Sequence, residues 1–144
     1  MIYQMTYVSK VADGVTLSDC KAIAAHSEKN NARDGVTGCL MLCDGWFLQV
    51  LEGAIGAVNR IYERIIKDPR HRYPTILGAG YQMQRNFPVW QMRLVHVRDI
   101  EAIAAVIRRY HASSAFDPIS LTSESCISLL NDPMALEDSN RKGP

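Results

Sequence analysis

The chain carries almost no net charge: sixteen Lys and Arg stand against fifteen Asp and Glu, a formal +1 with neutral histidines. That balance gives no electrostatic pull toward nucleic acid or an anionic membrane surface. No apolar run approaches the roughly 20 residues that span a bilayer, and the start, MIYQMTYVSK, lacks the basic-then-apolar layout of a signal peptide. The four cysteines, Cys20, Cys39, Cys43 and Cys126, form no CxxC pair and have no histidine at zinc-site spacing. Their neighbours are apolar, so buried reduced thiols in a cytoplasmic protein without a metal are expected. There is no Gly-rich phosphate-binding loop or dinucleotide fingerprint. His26, His71, His96 and His111 are scattered with no matched nucleophile, which argues against an enzyme.

What remains is 144 residues, 47% hydrophobic and 22% charged, enough for one compact domain and a short extension. Residues 2–8 (IYQMTYV) alternate in polarity and predict a first strand. Thr16 or Ser18 can cap a helix running to about Asn30, with Gly35 closing it. Residues 36–43 and 46–52 read as apolar strands joined by Asp44-Gly45, a strong hairpin signal. A second helix fits 54–68, with Ile55, Val58, Tyr62 and Ile65 on one stripe and Asp68-Pro69 ending it. Residues 75–83 and 92–97 supply strands four and five.

The order β-α-β-β-α-β-β predicts an α+β ferredoxin-like sandwich with an added fifth strand, both helices on one sheet face. Strands two and three are apolar on both faces, so the opposite face needs a cover. A helix at 98–111, with Ile103, Val106, Ile107 and Tyr110 on one stripe, and a short helix near 122–131 can supply it. The expected division is a domain at 1–97 and a helical extension at 98–144 with a frayed tail.

Polar residues in apolar company point to chemistry. Gln49 interrupts the strand WFLQVLEG, and a buried amide left unpaired costs about 1–3 kcal/mol. Taken singly, Gln49 reads as a structural amide and Asn30-Asn31 as helix-end capping. Tyr7, Trp90 and Met92 read as packing, and Arg64 as a surface charge. Jointly, Tyr7-Val8-Ser9, NNARDGVTG (30–38), FLQVLEG (47–53), RIIKDPRHR (64–72) and FPVWQM (87–92) closely resemble the BLUF family of flavin-binding blue-light sensors, in order and spacing from about residue 2 to 97.

The resemblance implies a flavin ring held between the two helices, against the sheet. Gln49 would meet the flavin N5 and C4 carbonyl edge and the Tyr7 phenol; its amide offers donor and acceptor faces that swap on reorientation. Asn31 would bond the C4 carbonyl and N3–H, and Asn30 the C2 carbonyl side. Arg64 would reach the polar edge or ribityl chain, Ile23, Ser27 and Ile65 would pack beside the ring, and Arg70 and His71 would lie toward the phosphate. The implied cofactor is FAD, with FMN or riboflavin as alternatives. In such sensors excitation makes the flavin an oxidant; Tyr7 gives an electron and then a proton through Gln49, and recombination leaves the amide rearranged and the absorption red-shifted. Trp90 and Met92 would pass the change through strand five to the C-terminal helices, and so to a homo-oligomer or a downstream protein. Gln91 departs from the serine common at that point. The rival readings are a flavin-free ferredoxin-like interaction module and a flavin-dependent enzyme.

Overall fold

A computed structural model describes residues 1–88, 93–97, 108–109 and 116–132. Five strands form one mixed sheet in the order β4-β1-β3-β2-β5. They are β1 (Ile2–Val11), β2 (Thr37–Cys43), β3 (Trp46–Gly53), β4 (His71–Gln82) and β5 (Arg93–Val97). β1 runs antiparallel to both β3 and β4, β2 antiparallel to β3, and β5 parallel to β2. This is the ferredoxin-like arrangement with the added fifth strand at the edge beyond β2.

Helix α1 (Leu17–Asp34) begins at Thr16, whose side chain accepts from the Asp19 N–H while the Asp19 carboxylate accepts from the Thr16 N–H. The sequence signals end this helix near Asn30, but it continues four residues further. It stops at Gly35, whose left-handed φ of 69° lets Val36 N–H reach the Asn31 carbonyl at 2.9 Å and Gly35 N–H reach that of Ala32. The two asparagines are therefore helical, and the glycine is the true terminator.

Helix α2 (Ile55–Lys67) lies within the expected span. The β2–β3 turn has φ of 50° at Asp44 and 76° at Gly45, both positive as the tight hairpin requires. A Cβ at Gly38 would sit 1.9 Å from the Val50 carbonyl oxygen, so only glycine allows β2 its approach to β3. Strand β4 starts at His71, four residues before the expected strand. A register irregularity opposite Ser9 accommodates Tyr73 (φ 53°) and Pro74 without ending the strand.

Helices α1 and α2 cover one face, where Met5, Tyr7, Leu40, Phe47 and Leu51 meet Ile23, Ala24, Val58 and Ile61. The other face buries Val8, Met41, Leu48, Val50 and Val95 beneath Phe87, Phe116 and helix α3 (Ser123–Leu130). The second cover thus exists and includes the expected short helix. The expected helix at 98–111 lies outside the described residues except for Arg108 and Arg109, and so does the tail. All four cysteines are buried and none forms a disulfide; burial pushes the Cys126 thiol up to about 12. No helix among the described residues is long and apolar enough to cross a membrane.

Candidate functional site

Alternation along β3 sends Phe47, Gln49 and Leu51 toward α1 and α2. Gln49 is paired in register with Tyr7 of β1, and the Tyr7 hydroxyl donates to Gln49 Oε1. The amide in the apolar strand thus has a partner built into the neighbouring strand. The Tyr7 ring meets Tyr62 of α2 edge-on, centroids 5.4 Å apart. Burial, followed by Tyr62 and the Asp68 carboxylate, holds the Tyr7 phenol well above its ordinary pKa. It stays protonated at neutral pH, which keeps it a donor.

Next to this pair a cleft of about 180 Å³ opens between the helices. From α1 come Ile23, His26, Ser27, Asn30 and Asn31, which one helical face brings together. From α2 come Ile61, Arg64 and Ile65, and from the turn into β4 come Asp68, Arg70 and His71. Ile23, Ile61 and Ile65 supply apolar lining, and the asparagines supply amides. Asn31 is 1% exposed, while Ala32, Arg33 and Gly35 around it at the end of α1 are exposed. Asn30 Nδ2 lies 3.1 Å from His26 Nε2.

The rim is organised by charge. Arg70 grips Asp68 with its Nε and Nη2, the closest contact 2.7 Å, and those bonds hold the Asp68 carboxyl below the usual range. Behind them His71 is buried, its Nδ1 2.7 Å from Ser9 Oγ and its ring 4.8 Å from that of Phe47. Burial lowers its pKa, leaving a neutral imidazole at pH 7. The Phe47 contact joins the cleft to the strand of Gln49.

The nominated Ile23, Ser27, Asn30, Asn31, Arg64, Ile65, Arg70 and His71 therefore converge on a single cleft. Tyr7 and Gln49 do not line it; they form a bonded pair on the sheet, and Phe47, two residues before Gln49, meets the ring of the cleft's His71. Trp90 and Met92 lie outside the described residues. His26, Ile61 and Asp68 also line the cleft, beyond the residues expected from the sequence. Each had a signal, being one helical turn from Asn30, Ile65 and Arg64 respectively. Among the described residues no group of three or more His, Cys, Asp or Glu could hold a metal ion.

Residues 2–93 match the family profile described as "BLUF: Sensors of blue-light using FAD". The chain is 34% identical over 84 residues to the photoactivated adenylate cyclase subunit beta of Euglena gracilis, which spans 58% of this chain and 10% of that protein. Among solved structures it is similar to the BlsA photo-activated state, with a TM-score of 0.80 at 26% identity, covering 93% of this chain and 95% of the other. Klebsiella pneumoniae BlrP1 with FMN and cyclic diGMP matches with a TM-score of 0.65 at 30% identity, covering 76% of this chain and 30% of that one. With the profile spanning most of the chain and the tyrosine–glutamine pair in place beside the cleft, this chain belongs to the BLUF family.

Proposed function

We propose that the protein is a blue-light receptor that holds an oxidised flavin in the cleft between α1 and α2 and signals by rearranging Gln49. The observation that carries this reading is the Tyr7–Gln49 hydrogen bond, buried beside a cleft whose lining suits a flat heterocycle with one polar edge. Aliphatic side chains from both helices match the faces of such a ring, and the Asn30 and Asn31 amides match alternating carbonyl and N–H groups. At about 180 Å³ the cleft is smaller than the roughly 300–1,000 Å³ of sites that enclose a whole cofactor. It suits the ring, with the side chain of the flavin leaving past Arg64, Arg70 and His71. FAD is the favoured form by the family description, and the FMN-bound BlrP1 supports FMN as an alternative.

A bound flavin would supply blue-light absorption and, once excited, the capacity to take up an electron. The protein contributes the donor and the switch. Tyr7, neutral and already bonded to Gln49 Oε1, would release its proton along that bond when it is oxidised and recover both electron and proton on recombination, leaving the amide rearranged until the state decays in darkness. Gln49 can exchange its donor and acceptor ends, by rotation or tautomerisation, without leaving the strand. Trp90 and Met92 are the proposed next residues, with the region 98–144 as output toward a second copy or a downstream protein in the cytoplasm.

Difference absorption before and after blue illumination tests the proposal. The purified protein should be yellow and show a small, reversible red-shift, and Gln49→Leu should keep the flavin but lose the shift. A wild-type-like shift in Gln49→Leu would remove the switch assignment. Flavin bleaching that depends on an added substrate would favour an enzyme, and a colourless protein that takes up no flavin would favour the interaction module.

A further inference from the structure

Three residues beyond Gln49, β3 carries a second buried polar group that the cleft does not use. Glu52 is 0% exposed and, by alternation, lies on the sheet face away from α1 and α2. A buried carboxylate is tolerated only when its lone pairs are met, and here they are. Glu52 accepts from Gln4 Nε2 at 2.9 Å, from the Asn86 N–H at 2.9 Å and from the Phe87 N–H at 2.7 Å. Two of these donors are backbone amides in an irregular segment that follows β4. The preceding residue ties the same segment down a second time. Arg85 Nη1 donates to the Glu52 carbonyl at 2.8 Å and to Thr37 Oγ1 at 2.7 Å, while its Nη2 donates to the Gly35 carbonyl at 2.9 Å. Phe87 then inserts into the core beside Leu48 and Val50.

Residues 85–87 thus form a strap bound to the end of β3, immediately before the chain continues toward β5. The row of paired residues Tyr7–Gln49–Leu40–Leu94 reaches β5 across the sheet from the opposite direction. Strand β3 is therefore linked to β5 through the Gln49 row by way of β2, and to the segment that precedes β5 through the Glu52 clamp.

We propose that Glu52 is a positioning residue of the light cycle: its carboxylate fixes the strap 85–87 to the strand that carries Gln49, and so governs how long the light-driven state persists. The role in the light cycle rests on the function proposed above, whereas the clamp itself does not. Three properties of Glu52→Leu separate the two: amide exchange at Asn86 and Phe87 in darkness, the red-shift itself, and the rate at which the shift decays. The leucine fits an apolar core but accepts nothing. It should raise exchange at both amides by about tenfold or more, keep the red-shift, and change the decay rate by at least about threefold.

Glu52→Gln supplies the rescue. Its Oε1 can accept the two backbone N–H groups while its NH₂ donates to a reoriented Gln4 amide, so exchange and decay should stay near wild type. Unchanged exchange in Glu52→Leu overturns the clamp. Faster exchange with an unchanged decay rate overturns the positioning role and leaves a purely structural one. If the wild type shows no light response, the proposed function fails and the light-cycle role fails with it, while dark exchange still decides the clamp. Should Glu52→Leu not fold, Arg85→Ala loosens the same strap without touching the carboxylate. No change in exchange or decay in that variant then overturns the proposal.

Discussion

At the scale of single residues the Tyr7–Gln49 pair joins stability to function. Tyr7→Phe removes the hydrogen bond donated to buried Gln49, a cost of about 0.5–1.5 kcal/mol. The variant should still bind flavin, fluoresce for longer and form the red-shifted state at least about tenfold less efficiently, because the proposed electron donor and proton path are both removed. A wild-type yield by difference absorption would place the donor elsewhere. His71 gives a second test. Burial depresses its pKa in the folded state below the roughly 6.5 of the unfolded chain. Its neutral form therefore contributes stability that is present above about pH 6.5 and is lost as pH falls through that value toward the folded pKa. Urea midpoints should drop between about pH 7.5 and pH 5.5, and more gently in His71→Asn; parallel profiles would clear His71 of the effect. Gln49 was legible because a lone amide in an apolar strand demands a partner. The burial of His71 was not, because nothing local in DPRHR marks it as buried and its partner Ser9 is distant in sequence.

At the scale of elements, α1 shows what local signals decide and what they leave open. Capping at Thr16 was readable, and so was Gly35, yet the asparagines drew the expected helix end four residues early. A terminator acts through its backbone conformation, and only Gly35 supplies the left-handed φ that closes the carbonyls of Asn31 and Ala32. The extra turn matters to the site, because it places Asn31 on the helical face it shares with Ile23 and Ser27. Asn31→Ala should lose one or two hydrogen bonds to the flavin edge, about 1–3 kcal/mol and so about 5–150-fold in affinity. Titration of the apoprotein with flavin measures this, and an unchanged dissociation constant would return Asn31 to a structural role in the last turn of α1. The early start of β4 was illegible for a related reason. Pro74 and the positive φ of Tyr73 look like strand breakers, but the register irregularity absorbs both.

At the scale of the whole molecule, the sheet separates a face that holds the cleft from one that holds the C-terminal cover. The need for that second cover was legible from strands apolar on both sides. How α3 is seated was not, because the seat joins residues far apart in sequence. Thr6, adjacent to Tyr7 in β1, places its hydroxyl 2.9 Å from that of Ser123 at the start of α3. A Cβ on Gly78, which pairs with Thr6, would come 2.7 Å from Ser123 Cβ. Gly78→Ala must therefore force β4 and the first turn of α3 apart, and overpacking of this kind costs about 1–3 kcal/mol. The cleft lies on the other face, so flavin affinity and the red-shift should persist, while amides 123–130 exchange faster in darkness. If α3 also serves as output, blue light should raise exchange of the same amides in the wild type, and Gly78→Ala should shrink that difference because its helix is already loosened. Exchange in 123–130 that is indifferent both to Gly78→Ala and to light would show that α3 is a fixed cover and that the signal leaves by another surface.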